Sequence, residues 1–258
     1  MVTIVESGTR ASALEQRFLL RDVGWEGYET MLKLVGDRPI RLTYDRGDLE
    51  LMSPSLEHEE YRELLDLLVW LVAAGLRIPC RGAGLTTWRR MAKDRGLEAD
   101  ACFYLASFPR VSGKRTTIDL EVDPPPDLAI EVEISRSTLG RMGIYAALGV
   151  PEVWRFDGEA LRVEQLQADG TYTTVANSRS FPFLAPEEVV RWVRLADTHS
   201  GYFVPFARIS HLRFQISNQQ IGAQNPWGPY ETIEDRDEWL RQLQDWIREE
   251  LAPRLGGG

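Results

Sequence analysis

The sequence predicts a mixed α/β protein, a sheet with helices packed on it, followed by a C-terminal helical extension. Three observations carry this. Segments with apolar residues at helical spacing alternate with short strand-like runs, and the middle of the chain reads helix, three strands, helix, strand. Helical crossovers and hairpin turns both join strands, so the sheet must mix parallel and antiparallel pairs. At 258 residues, 43% hydrophobic and 27% charged, the chain has a globular composition and enough apolar material for its own core.

Residues 1–20 are mixed and expected to be poorly ordered at their start. Asp22 to Val35 reads as a helix, with Trp25, Tyr28, Met31, Leu32 and Val35 on one face. Ile40–Tyr44 and Asp48–Met52 read as a hairpin through Asp45-Arg46-Gly47, where Gly47 supplies a positive φ. Ser53-Pro54-Ser55 opens the strongest helix, with Tyr61, Leu64, Leu65, Leu68, Leu71 and Val72 on one stripe and Gly75 ending it. Short strands follow at Leu85–Trp88 and Ala99–Leu105. Phe108 to Pro126 is a polar excursion closed by three prolines, which cannot join a ladder.

Leu128–Ile134 is the next strand. Ser135 or Ser137 can cap a helix that runs to Leu148 and stops at Gly149 and Pro151. Val153–Phe156 is a strand, Ala160–Gln167 and Thr171–Val175 form a hairpin about Ala168-Asp169-Gly170, and Pro186–Leu195 is a short helix. One domain is therefore expected over residues 1–195, with an extension over 196–258. In the extension, Asp235–Leu251 is amphipathic, with Trp239, Leu240, Leu243, Trp246 and Ile247 on its stripe. That stripe must bury against this domain or against a second subunit.

Composition narrows the function classes. A net charge of −9 opposes non-specific nucleic-acid binding, so any such role needs a local basic patch. Arg89, Arg90, Lys93 and Arg95, then Arg110, Lys114 and Arg115, are the candidates, each either a solvated loop charge or a phosphate clamp. Cys80 and Cys102 make no disulfide framework and fit reduced thiols in a cytoplasmic chain. His58, His199 and His211 are too scattered for zinc. The N-terminus lacks a basic region followed by an apolar core, and Leu64–Leu76 is interrupted by Asp66 and too short to span a bilayer. No Gly-rich phosphate loop and no Gly-x-Ser-x-Gly occurs.

The strand after the prolines holds the most informative pair. Side chains alternate along a strand, so Leu128, Ile130, Val132 and Ile134 point one way and Glu131 and Glu133 the other. Two like charges on one face need a cation or proton between them, and carboxylates are what Mg²⁺ prefers. The alternative is that both face solvent on a one-sided sheet. Asp100 offers a third acid from the neighbouring strand. His58 lies one turn before Tyr61 on the apolar stripe. It is either a buried histidine with a backbone partner or a group near the carboxylates.

Leu49–Glu59, Glu98–Asp100, Pro126–Glu133 and the stretch Ile144–Arg155 resemble the Uma-type family of restriction endonuclease-like proteins, within the PD-(D/E)XK nuclease superfamily. The resemblance runs from Asp22 to Asn177. It implies an αβββαβ core, hydrolysis of nucleic-acid phosphodiesters (DNA in the first place) with Mg²⁺ or Mn²⁺, and often a homodimer. By that resemblance Asp100 is the acid of the Pro-Asp element, with Ala99 in place of the proline, and Glu131 is the second metal ligand. Glu133 stands where the motif has lysine and binds a second ion or orients water. Arg141, four residues before Tyr145, stabilises the charge of the transition state, since arginine stays protonated. Glu50 and His58 support the site from the preceding hairpin and helix. A catalytically silent nucleic-acid- or partner-binding module on the same fold is the competing reading, and a different enzyme or a structural protein is the third.

Overall fold

The computed structural model describes residues 2–5, 15–84, 87–114, 118–199 and 232–255. The first strands are β1 (Val2–Val5) and β2 (Gln16–Leu20), followed by helix α1 (Trp25–Val35) and the hairpin β3 (Arg41–Asp45) and β4 (Asp48–Ser53). Both turn residues of that hairpin have positive φ, Arg46 at 48° and Gly47 at 97°, a conformation that matches the twist of two paired strands. Helix α2 (Leu56–Gly75) starts at Ser55, whose hydroxyl accepts the His58 N–H.

Next come β5 (Arg81–Gly82), β6 (Thr87–Arg90), β7 (Arg95–Glu98), β8 (Ala101–Tyr104), the single-turn helix α3 (Phe108–Val111) and β9 (Leu128–Val132). Helix α4 (Arg141–Leu148), β10 (Glu152–Phe156), β11 (Leu161–Leu166), β12 (Tyr172–Val175) and α5 (Pro186–His199) complete the domain. A C-terminal helix covers Thr232–Trp246 and continues through Leu255.

The mixed α/β class holds, with the strands divided between two six-stranded sheets. One runs β1-β2-β4-β3-β7-β6 and is antiparallel; the other runs β12-β11-β10-β9-β8-β5, with β9 and β10 parallel across the α4 crossover. The β6–β7 hairpin belongs to the first sheet. Without it, the second sheet reads α2-β5-β8-β9-α4-β10, the expected αβββαβ order.

Several boundaries differ from expectation for physical reasons. Gln16–Leu20 is a strand that the sequence conceals, because one of its two inward positions is Arg17 and the apolar alternation is broken. The strand expected over Ala99–Leu105 is β8, shortened to Ala101–Tyr104, because Ala99 and Asp100 form the link that carries the chain over from β7 of the other sheet. Ser135 and Ser137 do not cap α4: Gly140 is its cap residue, and the two hydroxyls are spent on buried charges instead. Residues 85–86, Arg115, the segment 200–231 with His211, and the glycine tail lie outside the described residues.

Three apolar clusters place the site. Helices α2, α5 and the C-terminal helix cover one face of the second sheet, against Leu128, Ile130, Val132, Trp154 and Phe156. Helix α4 lies on the opposite face, between the two sheets, with Ile144, Tyr145 and Leu148 against Trp88, Leu97, Ala129 and Val153. Helix α1 packs on the first sheet through Tyr28 and Val35. The extension's stripe is thus buried in this domain: Trp239 donates its indole N–H to the Trp192 carbonyl over 3.1 Å. Gly75 allows the approach, since a Cβ there would stand 2.7 Å from Ile247 Cγ2.

Candidate active site

Both faces of the second sheet are covered, so the two acids of β9 are not on an open surface. Alternation sends Leu128, Ile130 and Val132 to α2, and sends Ala129 and Glu131 to α4. Glu131 is 3% exposed. Burying a carboxylate at that depth demands partners, and α4 supplies them. Arg141 donates Nε to Oε2 over 2.8 Å and Nη2 to Oε1 over 2.6 Å, and the Tyr145 hydroxyl also donates to Oε1. The Arg141 fork is fixed in turn by Thr43 Oγ1 and the Glu98 carbonyl. Burial pushes the Glu131 carboxyl up; Arg141 opposes this, and the neighbouring Asp100 charge adds to it. Burial also tends to deprotonate Arg141, but Glu131 outweighs it and holds the guanidinium charged.

Asp100 is 2% exposed. Its Oδ2 accepts the Val132 N–H over 2.8 Å, and its Oδ1 accepts from His58 Nε2 over 3.0 Å, with Arg41 Nε at 3.5 Å. Burial would raise its pKa, but His58, then Arg41 and Arg141, hold it well below the carboxylate range. His58 is fully buried, and its Nδ1 reaches Glu15 Oε1 at 2.8 Å. Burial alone would lower its pKa. Asp100 and Glu15 on its two sides outweigh that and push it up to about 9, so both ring nitrogens carry protons at neutral pH. Of the two readings of His58, the one that places it among the carboxylates is what the fold contains.

Glu50 is 1% exposed. It accepts Arg17 Nη1 at 2.8 Å, Ser137 Oγ at 2.7 Å, and the Thr138 N–H at 2.7 Å. Burial alone would raise its pKa; the Thr138, Arg17 and Ser137 donors together hold it below its ordinary value. Arg17 extends the network to Ser135 Oγ at 3.0 Å and Glu15 Oε2 at 3.3 Å. Glu133, at the strand's end, is half-buried and stands apart: Arg155 of β10 forks it through Nε at 2.9 Å and Nη2 at 2.8 Å.

Asp100, Glu131, Glu133, Arg17 and Arg141 line one cleft of about 20 Å³, room for a single water. The fold therefore brings Asp100, Glu131, His58, Glu50 and Arg141 into one buried network and leaves Glu133 on its rim. Glu15, Arg17, Arg41 and the Tyr145 hydroxyl complete it without having been anticipated. The basic candidates do not line the cleft: Arg95 pairs with Asp45, Arg89 with Glu29 and Lys114 with Asp123, while Arg90 caps the Leu120 carbonyl.

A divalent ion would need vacant oxygen ligands. Among the described residues no three His, Cys, Asp or Glu side chains converge to hold a metal ion. Glu131 spends both oxygens on Arg141 and Tyr145, and Asp100 spends both on His58 and Val132. As arranged, the acids do not fit Mg²⁺ or Mn²⁺; the chain's own cations neutralise them.

The family described as "Putative restriction endonuclease", Uma2, matches residues 25–197, and the chain belongs to it. This span holds Arg41, Glu50, His58, Asp100, Glu131, Glu133 and Arg141 but not Glu15 or Arg17. One solved structure that resembles the chain is a putative nuclease from Anabaena variabilis. It is 16% identical, with a TM-score of 0.45 over 64% of this chain and 97% of that one. No curated protein matches the chain. No helix among the described residues is long and apolar enough to cross a membrane.

Proposed function

We propose that the chain is an endonuclease that hydrolyses phosphodiester bonds of nucleic acid, DNA in the first place, at the cleft where Asp100, Glu131, Glu133 and Arg141 meet. The observation that carries this is the delivery of Asp100 and Glu131, from paired strands β8 and β9 and their flanking link, to one cleft beside a fixed guanidinium. Membership of a restriction endonuclease-like family supports it. Arg141 is the group suited to charge that develops on a phosphoryl oxygen, because its planar fork matches two oxygens and never loses its proton. Glu133, on the rim and less deeply buried, is the carboxylate placed to meet incoming water. Mg²⁺ or Mn²⁺ belongs to this reading as the cofactor expected from the family resemblance, and Glu131 and Asp100 as arranged are already held by Arg141, Tyr145, His58 and Val132.

One observation favours a second reading, a catalytically silent nucleic-acid-binding module: the side chains suited to chemistry are paired with one another. A single set of assays separates the two. Cleavage of single- and double-stranded DNA and RNA is measured with Mg²⁺, with Mn²⁺ and with chelator, beside a mobility-shift titration across salt. Metal-dependent cleavage lost in Glu131→Gln supports the endonuclease. Salt-sensitive binding with no cleavage under any condition replaces it with the silent module.

A further inference from the structure

We infer that Arg141 is a built-in counter-cation that competes with a divalent ion for Glu131 and holds the centre closed until the guanidinium leaves. This rests on the cleft being the functional centre, as proposed above. The Arg141 fork covers both Glu131 oxygens at 2.8 and 2.6 Å, and these are the lone pairs an oxygen-seeking ion would use. It is no loose surface arginine. Its side chain is 10% exposed, and its other contacts go to Thr43 Oγ1 and the Glu98 carbonyl, both in the first sheet. The guanidinium therefore joins the two sheets across the same carboxylate that the ion would need.

Charge balance points the same way. Around the cleft the buried acids Glu15, Glu50, Asp100 and Glu131 already face Arg17, Arg41, His58 and Arg141, with Arg41 also paired to the part-buried Glu59 at 2.6 Å. A divalent ion added beside Arg141 brings more positive charge, away from water, to a Glu131 that the guanidinium already neutralises, which is costly. Taking Arg141 away leaves one uncompensated negative charge, which a cation relieves. Glu133 does not alter the balance, since Arg155 already neutralises it. Apparent ion affinity is then the intrinsic affinity reduced by the fraction of molecules in which Arg141 has swung out.

The test is calorimetric titration of Mn²⁺ into the full chain without nucleic acid, with the electron paramagnetic resonance signal of free Mn²⁺ as a second readout. Wild type, Arg141→Met, Arg141→Lys and Arg141→Met/Glu131→Gln are compared. Methionine keeps the apolar stem and removes the fork. Wild type is expected to bind weakly, Arg141→Met tenfold or more tightly than wild type, and the double variant as weakly as wild type. Arg141→Lys keeps the charge without the fork and is expected at least threefold tighter than wild type, which decides the matter should Arg141→Met fail to fold. Equal affinities across wild type and the folded Arg141 variants, or a tight wild-type site that needs Glu131, overturn the inference. Because occupancy is read without substrate, absence of cleavage would remove the proposed function and leave this result intact.

Discussion

His58 donates its Nε2–H to Asp100 Oδ1 over 3.0 Å, so α2 is tied to the link between the two sheets by an ion pair that water does not reach. The charge on the imidazole exists only because the fold places Asp100 and Glu15 on its two sides. This makes the pair a stability element with a definite pH signature. The folded pKa, about 9, lies above the ordinary 6.5. The contribution is therefore fully present below pH 6.5 and is lost as pH rises through 9. A shift of that size corresponds to about 3 kcal/mol. Urea unfolding at pH 6.5 and pH 9.5 should show a fall of that order in wild type and a much flatter profile in His58→Phe. Parallel profiles would show that His58 is neutral in the fold.

Asp100 is the residue whose replacement is easiest to misread. From sequence it is a third acid beside Glu131 and nothing more. Its oxygens instead hold the Val132 N–H and the His58 ring, beside Arg41. Asp100→Ala strands a buried cation and an amide, and is expected to cost about 3–5 kcal/mol. Asp100→Asn keeps one acceptor oxygen for the Val132 N–H, while its amide N–H can face His58 Nε2 once that ring is neutral, and it should stay folded under conditions where the alanine variant does not. Equal chemical stability for both variants would contradict the burial and bonding described for Asp100. Nuclease assays on this position belong to the asparagine variant.

The apolar half of the fold was readable in the sequence and the polar half was not. Helix α2, the β3–β4 hairpin and the β9-α4-β10 crossover follow from periodicity, turn residues and the Gly149–Pro151 stop, which act locally. Asp100, Glu131, His58, Glu50 and Arg141 could be nominated because the motifs that carry the family resemblance contain them. What could not be read was how they pair. Arg17 and Arg41 enter the network through side-chain partners remote in sequence, Glu50 and Ser135 for Arg17 and Asp100 for Arg41, and nothing within Arg17-Phe18-Leu19 signals that the arginine turns inward. Ser135 and Ser137 looked like caps because the local rule favours serine there; Glu50 and Arg17, which only the tertiary fold brings near, claim them instead. The usable signal was indirect: an acid destined for burial requires donors somewhere, cations for Glu50, Asp100 and Glu131, but the Trp154 indole, the Ser178 hydroxyl and the Arg179 N–H for Glu152.

The C-terminal helix offers a test of packing rather than charge. Gly75 faces Ile247, where an added Cβ would stand 2.7 Å from Cγ2. Gly75→Ala should therefore destabilise the protein by about 1–3 kcal/mol despite alanine's better helix propensity. Combined with Ile247→Ala, it should cost less than the sum of the single changes, because the smaller side chain relieves the clash. Hydrogen exchange should quicken over Trp239–Leu251 in Gly75→Ala. Additive costs with unchanged exchange would mean that the helix does not seat on α2 in solution.

Glu50 fixes the loop that delivers α4, and with it Arg141, to the cleft. It is 1% exposed, accepts from Ser137, the Thr138 backbone and Arg17, and has no contact with water to fall back on. Glu50→Ala leaves Arg17 short of a counter-charge and frees the loop, at an expected cost of about 3–5 kcal/mol. Glu50→Gln keeps one acceptor oxygen and should cost about 1–2 kcal/mol. Since the folded pKa of Glu50 is lowered, its contribution is present above the ordinary value of 4.5 and is lost as pH falls below it. Acid unfolding of wild type should thus be steeper below pH 4.5 than that of Glu50→Gln. Amide exchange at Thr138 and Leu139 should quicken in Glu50→Ala at neutral pH. Unchanged exchange at Thr138 in the alanine variant would show that the loop is held by something other than Glu50.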